Sequence, residues 1–413
     1  MRIVILSIFA GLTAFSLFAQ APAVSVPLAS PPAPASPSVA LDSVFRPEKL
    51  AGLDAVIEQA IQEKRCPGAV LWVEHGGAVY HKAFGQRALE PEVEAMSEDT
   101  VFDAASLTKV LSTTGCIMAL VERGQLEIDA PASRYLPEFT GSGKEAITLR
   151  HLLTHTSGLR SGLASRSGET GREAVLAQAC AEPLPNAPGT IFRYSDINFI
   201  VLGEIVRRVS GQPLEKFAAE TLYRPLGMRD TGYLPAAELR PRIAPTERVG
   251  DGTILRGTVH DPTARRMGGV AGHAGLFTTA TDVARYARMM LGEGTLDGVQ
   301  IFKPETVRLM TTVQTPPAVK QRRGLGWDID SPYAGPRGAR FPIGSYGHTG
   351  WTGGSLWIDP FSKTFVIFLT NRNHPDGKGN VVPVWGRLGT LAADAVIGYN
   401  FAHVDGALPP MDW

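Results

Sequence analysis

Two hydrophobic periods alternate along residues 42–400. Over residues 46–63, Leu50, Leu53, Val56, Ile57 and Ile61 recur at helical spacing among charged residues, which predicts an amphipathic helix packed on something flat. Residues 68–74 and 78–84 are short apolar runs divided by His75-Gly76-Gly77, a hairpin signal. A longer apolar segment covers residues 110–123, with Leu107, Val110, Leu111, Met118 and Val121 at helical intervals and Gly124 as its stop. Residues 147–159 read as a short helix closing into a turn, and the Ser- and Gly-rich residues 160–171 as a surface loop. Helical patterns return at 197–209, at 213–222 with Pro213 as first residue, and at 281–291, opened by Thr281-Asp282. The last third changes period: residues 345–351, 355–358 and 364–369 predict three antiparallel strands, followed by a helix over 386–396. Strands at both ends with helices between them predict an α+β fold, an antiparallel sheet built from both ends of the chain and carrying an inserted helical lobe.

The N-terminus has a different character. Arg2, an apolar run over residues 3–18 and the small Ala19 form a secretory signal over residues 1–19; cleavage after Ala19 is favoured because Pro22 would hinder cutting after Ala21. The alternative is an uncleaved membrane anchor, since the run approaches the ~17 residues that a spanning helix needs. Residues 20–41 are mostly Ala, Pro, Ser and Val, a semi-rigid spacer extending ~3.1 Å per residue. The expected organisation is leader 1–19, linker 20–41, one folded domain over 42–400 and a tail over 401–413, in a periplasmic or secreted protein.

Charge removes several classes of partner. Forty basic residues balance forty acidic ones without a dense basic run, so nucleic acid and anionic membrane surfaces are not implied. Cys66, Cys116 and Cys180 are too few and too far apart for a disulfide framework or a metal site.

The candidate chemistry starts at Phe102-Asp103-Ala104-Ala105-Ser106-Leu107-Thr108-Lys109. Ser106 and Lys109 fall on one face at the start of the apolar helix, where the hydroxyl feels the positive end of the helix dipole and an amine one turn away can take its proton. Alone, the pair also suits a capping serine and a solvated lysine. Two further stretches decide between these readings: Phe192-Arg193-Tyr194-Ser195-Asp196-Ile197-Asn198, and Gly347-His348-Thr349-Gly350-Trp351-Thr352-Gly353-Gly354.

Ser-x-x-Lys, Tyr-Ser-Asp and His-Thr-Gly, in that order, resemble the three-part signature of the serine β-lactamase and penicillin-binding-protein superfamily, particularly its class C and D-Ala-D-Ala carboxypeptidase branch. The resemblance implies a cleft between sheet and helical lobe, with Ser106 as acylated nucleophile and Lys109 and Tyr194 sharing the proton work, either of them as base. It also implies an oxyanion hole from the backbone N–H groups of Ser106 and Trp351, and substrate contacts from Asp196, His348, Thr349 and Gly350. No cofactor is implied.

Two positions depart from the usual pattern. Asp196 stands where the branch usually has Asn, and an ionised carboxylate cannot donate to an acyl amide. His348 replaces the commoner Lys, and its charge is expected to fade above pH ~6.5, making activity pH-sensitive. A further stretch, Val259-His260-Asp261-Pro262 and then residues 267–277, resembles a subgroup of exported, cell-wall-linked members, with His260, Asp261 and His273 as candidates for the rim of the cleft. The function implied is an exported serine hydrolase of peptidoglycan-type peptides, a carboxypeptidase or related amidase. An esterase or weak β-lactamase, and a penicillin-binding sensor without turnover, are the alternatives.

Overall fold

The computed structural model describes residues 39–164 and 170–411. The expected leader, the linker as far as residue 38 and the centre of the 160–171 loop lie outside the described residues. Along the chain come α1 (Pro47–Gln62), β1 (Gly68–His75), β2 (Ala78–Ala88), β3 (Glu94–Ala95), α2 (Gly115–Glu122), α3 (Leu149–Leu153), α4 (Arg172–Ala181), α5 (Asp196–Ser210) and α6 (Ala280–Leu291). These are followed by β4 (Arg322–Arg323), β5 (Asp328–Asp330), β6 (Tyr346–Thr349), β7 (Ser355–Asp359), β8 (Thr364–Thr370) and α7 (Val382–Ala395).

The eight strands form one sheet in the order β3-β2-β1-β8-β7-β6-β5-β4. The N-terminal hairpin therefore meets the C-terminal meander at β1 and β8, which pair antiparallel with Val70 opposite Leu369. Gly76 and Gly77 turn the hairpin with φ of 56° and 82°, the positive pair that a two-residue turn matched to strand twist requires. Both faces of the central strands are covered, so they read as continuous apolar runs. Ala69, Leu71, Val73, Val366 and Phe368 pack against α1 and α7. Val70, Trp72, Ile367 and Leu369 face the helical lobe. Each such side chain contributes roughly 1.5–3 kcal/mol when fully buried.

The lobe follows the predicted pattern with local differences. Pro213 lies just outside its helix, which covers Leu214–Ala218 before widening into a π-helical turn over Ala219–Tyr223. Thr279, not the Thr281-Asp282 pair, opens α6: its side chain accepts the Asp282 N–H at 3.2 Å. Only Leu149–Leu153 of the 147–159 segment is helical, held by a capping box between Thr148 and His151. The last helix begins earlier than its apolar pattern, at Val382, with Pro383 in its first turn. Past residue 400 the chain stays on the domain, where Phe401 meets Phe341 edge to face and the Leu408 N–H reaches the Ile343 carbonyl. No helix among the described residues is long and apolar enough to cross a membrane.

Candidate active site

The nucleophile sits on a turn held from behind. Buried Asp103 accepts the N–H groups of Ala105 at 2.8 Å and His260 at 2.6 Å, while its own carbonyl accepts the Thr352 hydroxyl at 2.8 Å. These bonds hold Ala105 at φ +44°, a left-handed conformation that costs a non-glycine residue roughly 1 kcal/mol. Ser106 follows on one turn of 3₁₀ helix, Ala105–Leu107. The chain then widens into a π-helical stretch, Lys109–Thr114, before α2. Wide turns of this kind occur often at functional sites. Here the Val110 carbonyl accepts the Tyr286 hydroxyl at 3.0 Å.

Lys109 is completely buried, and three oxygens surround its ammonium: Ser106 Oγ at 3.0 Å, the His273 carbonyl at 3.1 Å and Asp196 Oδ1 at 2.7 Å. Burial works against the charge, but Asp196 and then Tyr194 outweigh it, so the Lys109 pKa stands above the ordinary lysine value. Hydrogen-bonded to Ser106 and the His273 carbonyl and ion-paired with Asp196, this ammonium has no lone pair with which to receive the serine proton.

Tyr194 precedes α5 and lies over the lysine, its ring centroid 5.0 Å from Nζ. His155 stacks on the ring, and its Nδ1 accepts the Ser195 N–H at 3.1 Å. The backbone at His155 has φ +58°. Asp196 begins α5, beside Tyr194 and in contact with the lysine.

On the sheet side, β6 carries the third motif. His348 Nδ1 lies 2.8 Å from the Thr349 carbonyl, which can only accept, so Nδ1 carries the proton and Nε2 is a bare lone pair without a protein partner among the described residues. Burial, then the charges of Arg323 and Lys109, push the His348 pKa well below the usual imidazole range. The imidazole is therefore neutral at physiological pH, which corrects the expectation of a charge fading near pH ~6.5. Arg323, buried behind it and paired with Asp328 at 2.7 Å, supplies a permanent positive charge instead.

A Cβ on Gly350 would lie 2.7 Å from the Ala104 carbonyl. This glycine thus allows the strand edge that leads to the Trp351 N–H to seat on the turn that carries the Ser106 N–H. Neither N–H is taken by another acceptor among the described residues. Trp351 itself is 66% exposed, with the Arg372 guanidinium 4.7 Å over its ring and Arg372 Nε bonded to the Trp351 carbonyl at 2.7 Å.

A cavity of about 420 Å³ opens over these groups, lined by Ser106, Tyr194, His348, Thr349, Gly350 and Trp351 together with Arg323, Asp328, Tyr333, Arg372 and Trp385. His260, Asp261 and His273 do not line it. His260 bonds Glu247 at 2.7 Å and steadies Asp103 through its N–H. Asp261 caps a short helix, Pro262–Arg266, and fixes the His273 ring at 2.9 Å, while the His273 carbonyl receives Lys109. Burial resists the Asp261 charge, yet His273 and the Ala264 N–H hold this carboxyl below the usual range. The glycines of this stretch make room for backbone: a Cβ on Gly272 would fall 2.0 Å from the Phe199 carbonyl of α5. Sequence reasoning passed over Asp103, His155, Arg323, Tyr333 and Arg372. Asp103 and His155 lay inside stretches already singled out, whereas nothing local marks the other three.

A serine bonded to a buried lysine, a tyrosine over that lysine, and one N–H donor on the nucleophile's turn with another after the strand edge define an acyl-transferring serine hydrolase. The chain belongs to the Beta-lactamase family, whose model matches residues 53–387. It is 33% identical over 367 residues to an Escherichia coli (strain K12) protein provisionally named D-alanyl-D-alanine carboxypeptidase, covering 80% of this chain and 84% of the relative. It is 34% identical over 370 residues to the N-acetylmuramyl-L-alanine amidase of Bacillus subtilis (strain 168), covering 80% and 82%. Among solved structures, a penicillin-binding protein homologue from Caulobacter crescentus superposes with a TM-score of 0.69 at 23% identity, over 85% of this chain and 98% of the other. A class C β-lactamase from Rhodobacter sphaeroides gives 0.66 at 23% identity, over 82% and 98%.

Proposed function

We propose that this serine hydrolase is exported and cleaves peptidoglycan-type peptides, as a D-Ala-D-Ala carboxypeptidase or as an amidase that releases peptides from muramic acid. The observation that carries it is the Lys109 ammonium joining Ser106 Oγ to Asp196 beneath an open cavity that can take the end of a peptide. The substrate class is supported by the names of relatives at 33% and 34% identity, and export by the apolar leader over residues 3–18.

In this reading Ser106 Oγ attacks the carbonyl carbon while its proton passes to Tyr194, since Lys109 is already protonated and acts by stabilising the phenolate through charge. Negative charge on the carbonyl oxygen is received by the Ser106 and Trp351 N–H groups. Tyr194 then protonates the departing amine, leaving an ester on Ser106. The test is a set of defined muropeptides followed by mass spectrometry: release of D-alanine identifies the carboxypeptidase, release of the intact peptide the amidase. Cleavage of nitrophenyl esters with no muropeptide turnover would overturn the reading. Export is checked by cell fractionation and by N-terminal sequencing of the mature chain.

A further inference from the structure

We propose that the indole of Trp351, backed by Arg372, is the platform on which the sugar ring of a muramyl substrate stacks, so that the acyl group taken by Ser106 is the lactyl group of muramic acid. The inference rests on the peptidoglycan reading above and chooses within it: the site is built for the amidase.

The residue whose backbone N–H serves the oxyanion also carries the most exposed aromatic ring of the cavity. Trp351 is 66% exposed, Tyr333 is 45% exposed, and Tyr194 and Trp385 are half-buried. The other three rings are already engaged. Tyr194 is stacked on His155, and Tyr333 packs against Tyr194 and Phe192 with centroids 5.2 and 6.2 Å apart. Trp385 donates Nε1 to the Gly353 carbonyl at 3.0 Å. Trp351 has one such neighbour among the described residues, the Arg372 guanidinium 4.7 Å over its ring.

Arg372 fixes that ring without using up its own capacity to bind. Nε is bonded to the Trp351 carbonyl at 2.7 Å and Nη1 to the Gly379 carbonyl at 2.6 Å. No carboxylate pairs with it and Nη2 makes no hydrogen bond among the described residues, which leaves a charged N–H donor next to the indole. Asn380, in the same cavity, accepts the Val382 N–H with its side-chain oxygen at 3.1 Å and so keeps its amide N–H groups as further donors. Val382, 58% exposed, adds apolar surface. A flat π face, held before the ligand arrives and accompanied by N–H donors, complements an N-acetylated pyranose. The sugar's C–H bonds carry partial positive charge toward the negative face of the ring, and its acetamido carbonyl and hydroxyls accept from the donors.

Covalent geometry ties this platform to the reacting carbon. Trp351 contributes both the N–H at the oxyanion and the ring, so whatever stacks on the ring is attached close to the acyl carbonyl. In a muramyl amide that carbonyl is joined to the pyranose through a single lactyl carbon and an ether oxygen, which brings the sugar within reach of the indole. In a peptide ending in D-Ala-D-Ala the same carbonyl is flanked by a methyl-bearing carbon and another amide, with no ring to cover the indole.

The experiment compares muramyl dipeptide, N-acetylmuramyl-L-Ala-D-isoGln, with the same dipeptide carrying an O-methyl lactyl group in place of the sugar ether, dipeptide release being followed by mass spectrometry. Wild type is expected to favour the muramyl substrate ~10-fold or more in kcat/KM, chiefly through KM. Trp351→Ala is expected to erase most of that preference, Trp351→Phe to keep part of it, and Arg372→Met to fall between wild type and Trp351→Ala. The ratio between substrates is the readout, because any disturbance of the Trp351 N–H weighs on both alike. Calorimetric titration of Ser106→Ala with muramyl dipeptide, with and without Trp351→Ala, reads the same contact in the absence of turnover and is expected to show weaker binding without the indole. An unchanged preference and affinity in folded Trp351→Ala proteins would overturn the platform. Release of D-alanine from a pentapeptide, with muramyl dipeptide left intact, would overturn it while the peptidoglycan reading stands. Turnover of neither, with nitrophenyl esters still cleaved, would remove that reading itself.

Discussion

The imidazole of His155 lies stacked on the Tyr194 phenol, ring centroids 4.3 Å apart and planes inclined by 30°. The two residues come from different segments, the turn after α3 and the approach to α5, and His155 also accepts the Ser195 N–H that follows the tyrosine. His155 is therefore a positioning residue for Tyr194. Substitution His155→Asn tolerates the left-handed backbone and retains an acceptor while removing the ring. It is expected to fold with a near-native melting temperature and to lose about 10-fold in kcat at little-changed KM. Substitution His155→Leu also leaves the Ser195 N–H unsatisfied, at a cost of about 1–3 kcal/mol in stability by urea unfolding.

Acid should weaken the fold through the site's own histidines. Burial, reinforced by the Arg323 and Lys109 charges, keeps His155 and His348 neutral in the folded state, with pKa values well below the ordinary one. In the unfolded chain both take protons near pH ~6.5. The unfolded state then binds more protons, so the stability they contribute is whole above that pH and declines as pH falls below it. Urea unfolding at a series of pH values is expected to show this decline, with a shallower slope in His348→Gln. The pH–rate profile is expected to lack a limb from His348 near pH ~6.5.

The opposite sign holds for Lys109. Its pKa is raised, so the attraction to Asp196 is fully present at neutral pH and is lost only as pH climbs through the elevated value, above the ordinary ~10.4. Substitution Lys109→Met is expected to lower kcat/KM by about 10³-fold. Its melting temperature should move by only a few degrees, because the buried charge removed also carried a desolvation cost. A chromogenic ester and a thermal melt check both halves.

Two neighbouring glycines should respond differently to a methyl group. At Gly350 the added Cβ meets a backbone atom, the Ala104 carbonyl at 2.7 Å, which cannot swing aside. At Gly354 it meets the ends of the Leu107 and Leu369 side chains at 3.2 and 3.4 Å, which can. Gly350→Ala is expected to lose about 1–3 kcal/mol of stability and, by moving the Trp351 N–H, to lower kcat. Gly354→Ala is expected to keep most of its activity. Melting temperatures and steady-state kinetics of the two variants provide the comparison.

The framework of this molecule was legible because its periods are clean. The continuous apolar runs of β1 and β8 and the helical stripe of α1 mark buried segments, and the positive-φ turn between β1 and β2 was announced by its paired glycines. Ser106, Lys109 and Tyr194 were found because they recur with fixed neighbours. What escaped was set by tertiary contact. Whether His348 carries charge depends on Arg323, a distant residue in sequence that no local pattern places behind it. His260, Asp261 and His273 read as rim residues because their stretch resembles that of exported, cell-wall-linked members. Instead, the Gly272 backbone threads beside α5, and the His273 carbonyl is turned inward to the lysine.

The pairing of β1 with β8 has a consequence for the order in which the protein becomes an enzyme. Synthesis delivers Ser106 and Lys109 early, but the Thr352 hydroxyl that ties down the nucleophile's turn comes from 249 residues further along, and β1 has no partner on that side until Thr364–Thr370 emerges. A nascent chain ending before β6 lacks the strand edge, the Trp351 donor and three of the sheet's eight strands. Reactivity toward an acylating probe is thus withheld until translation is nearly over, and labelling of Ser106 distinguishes completed molecules from fragments.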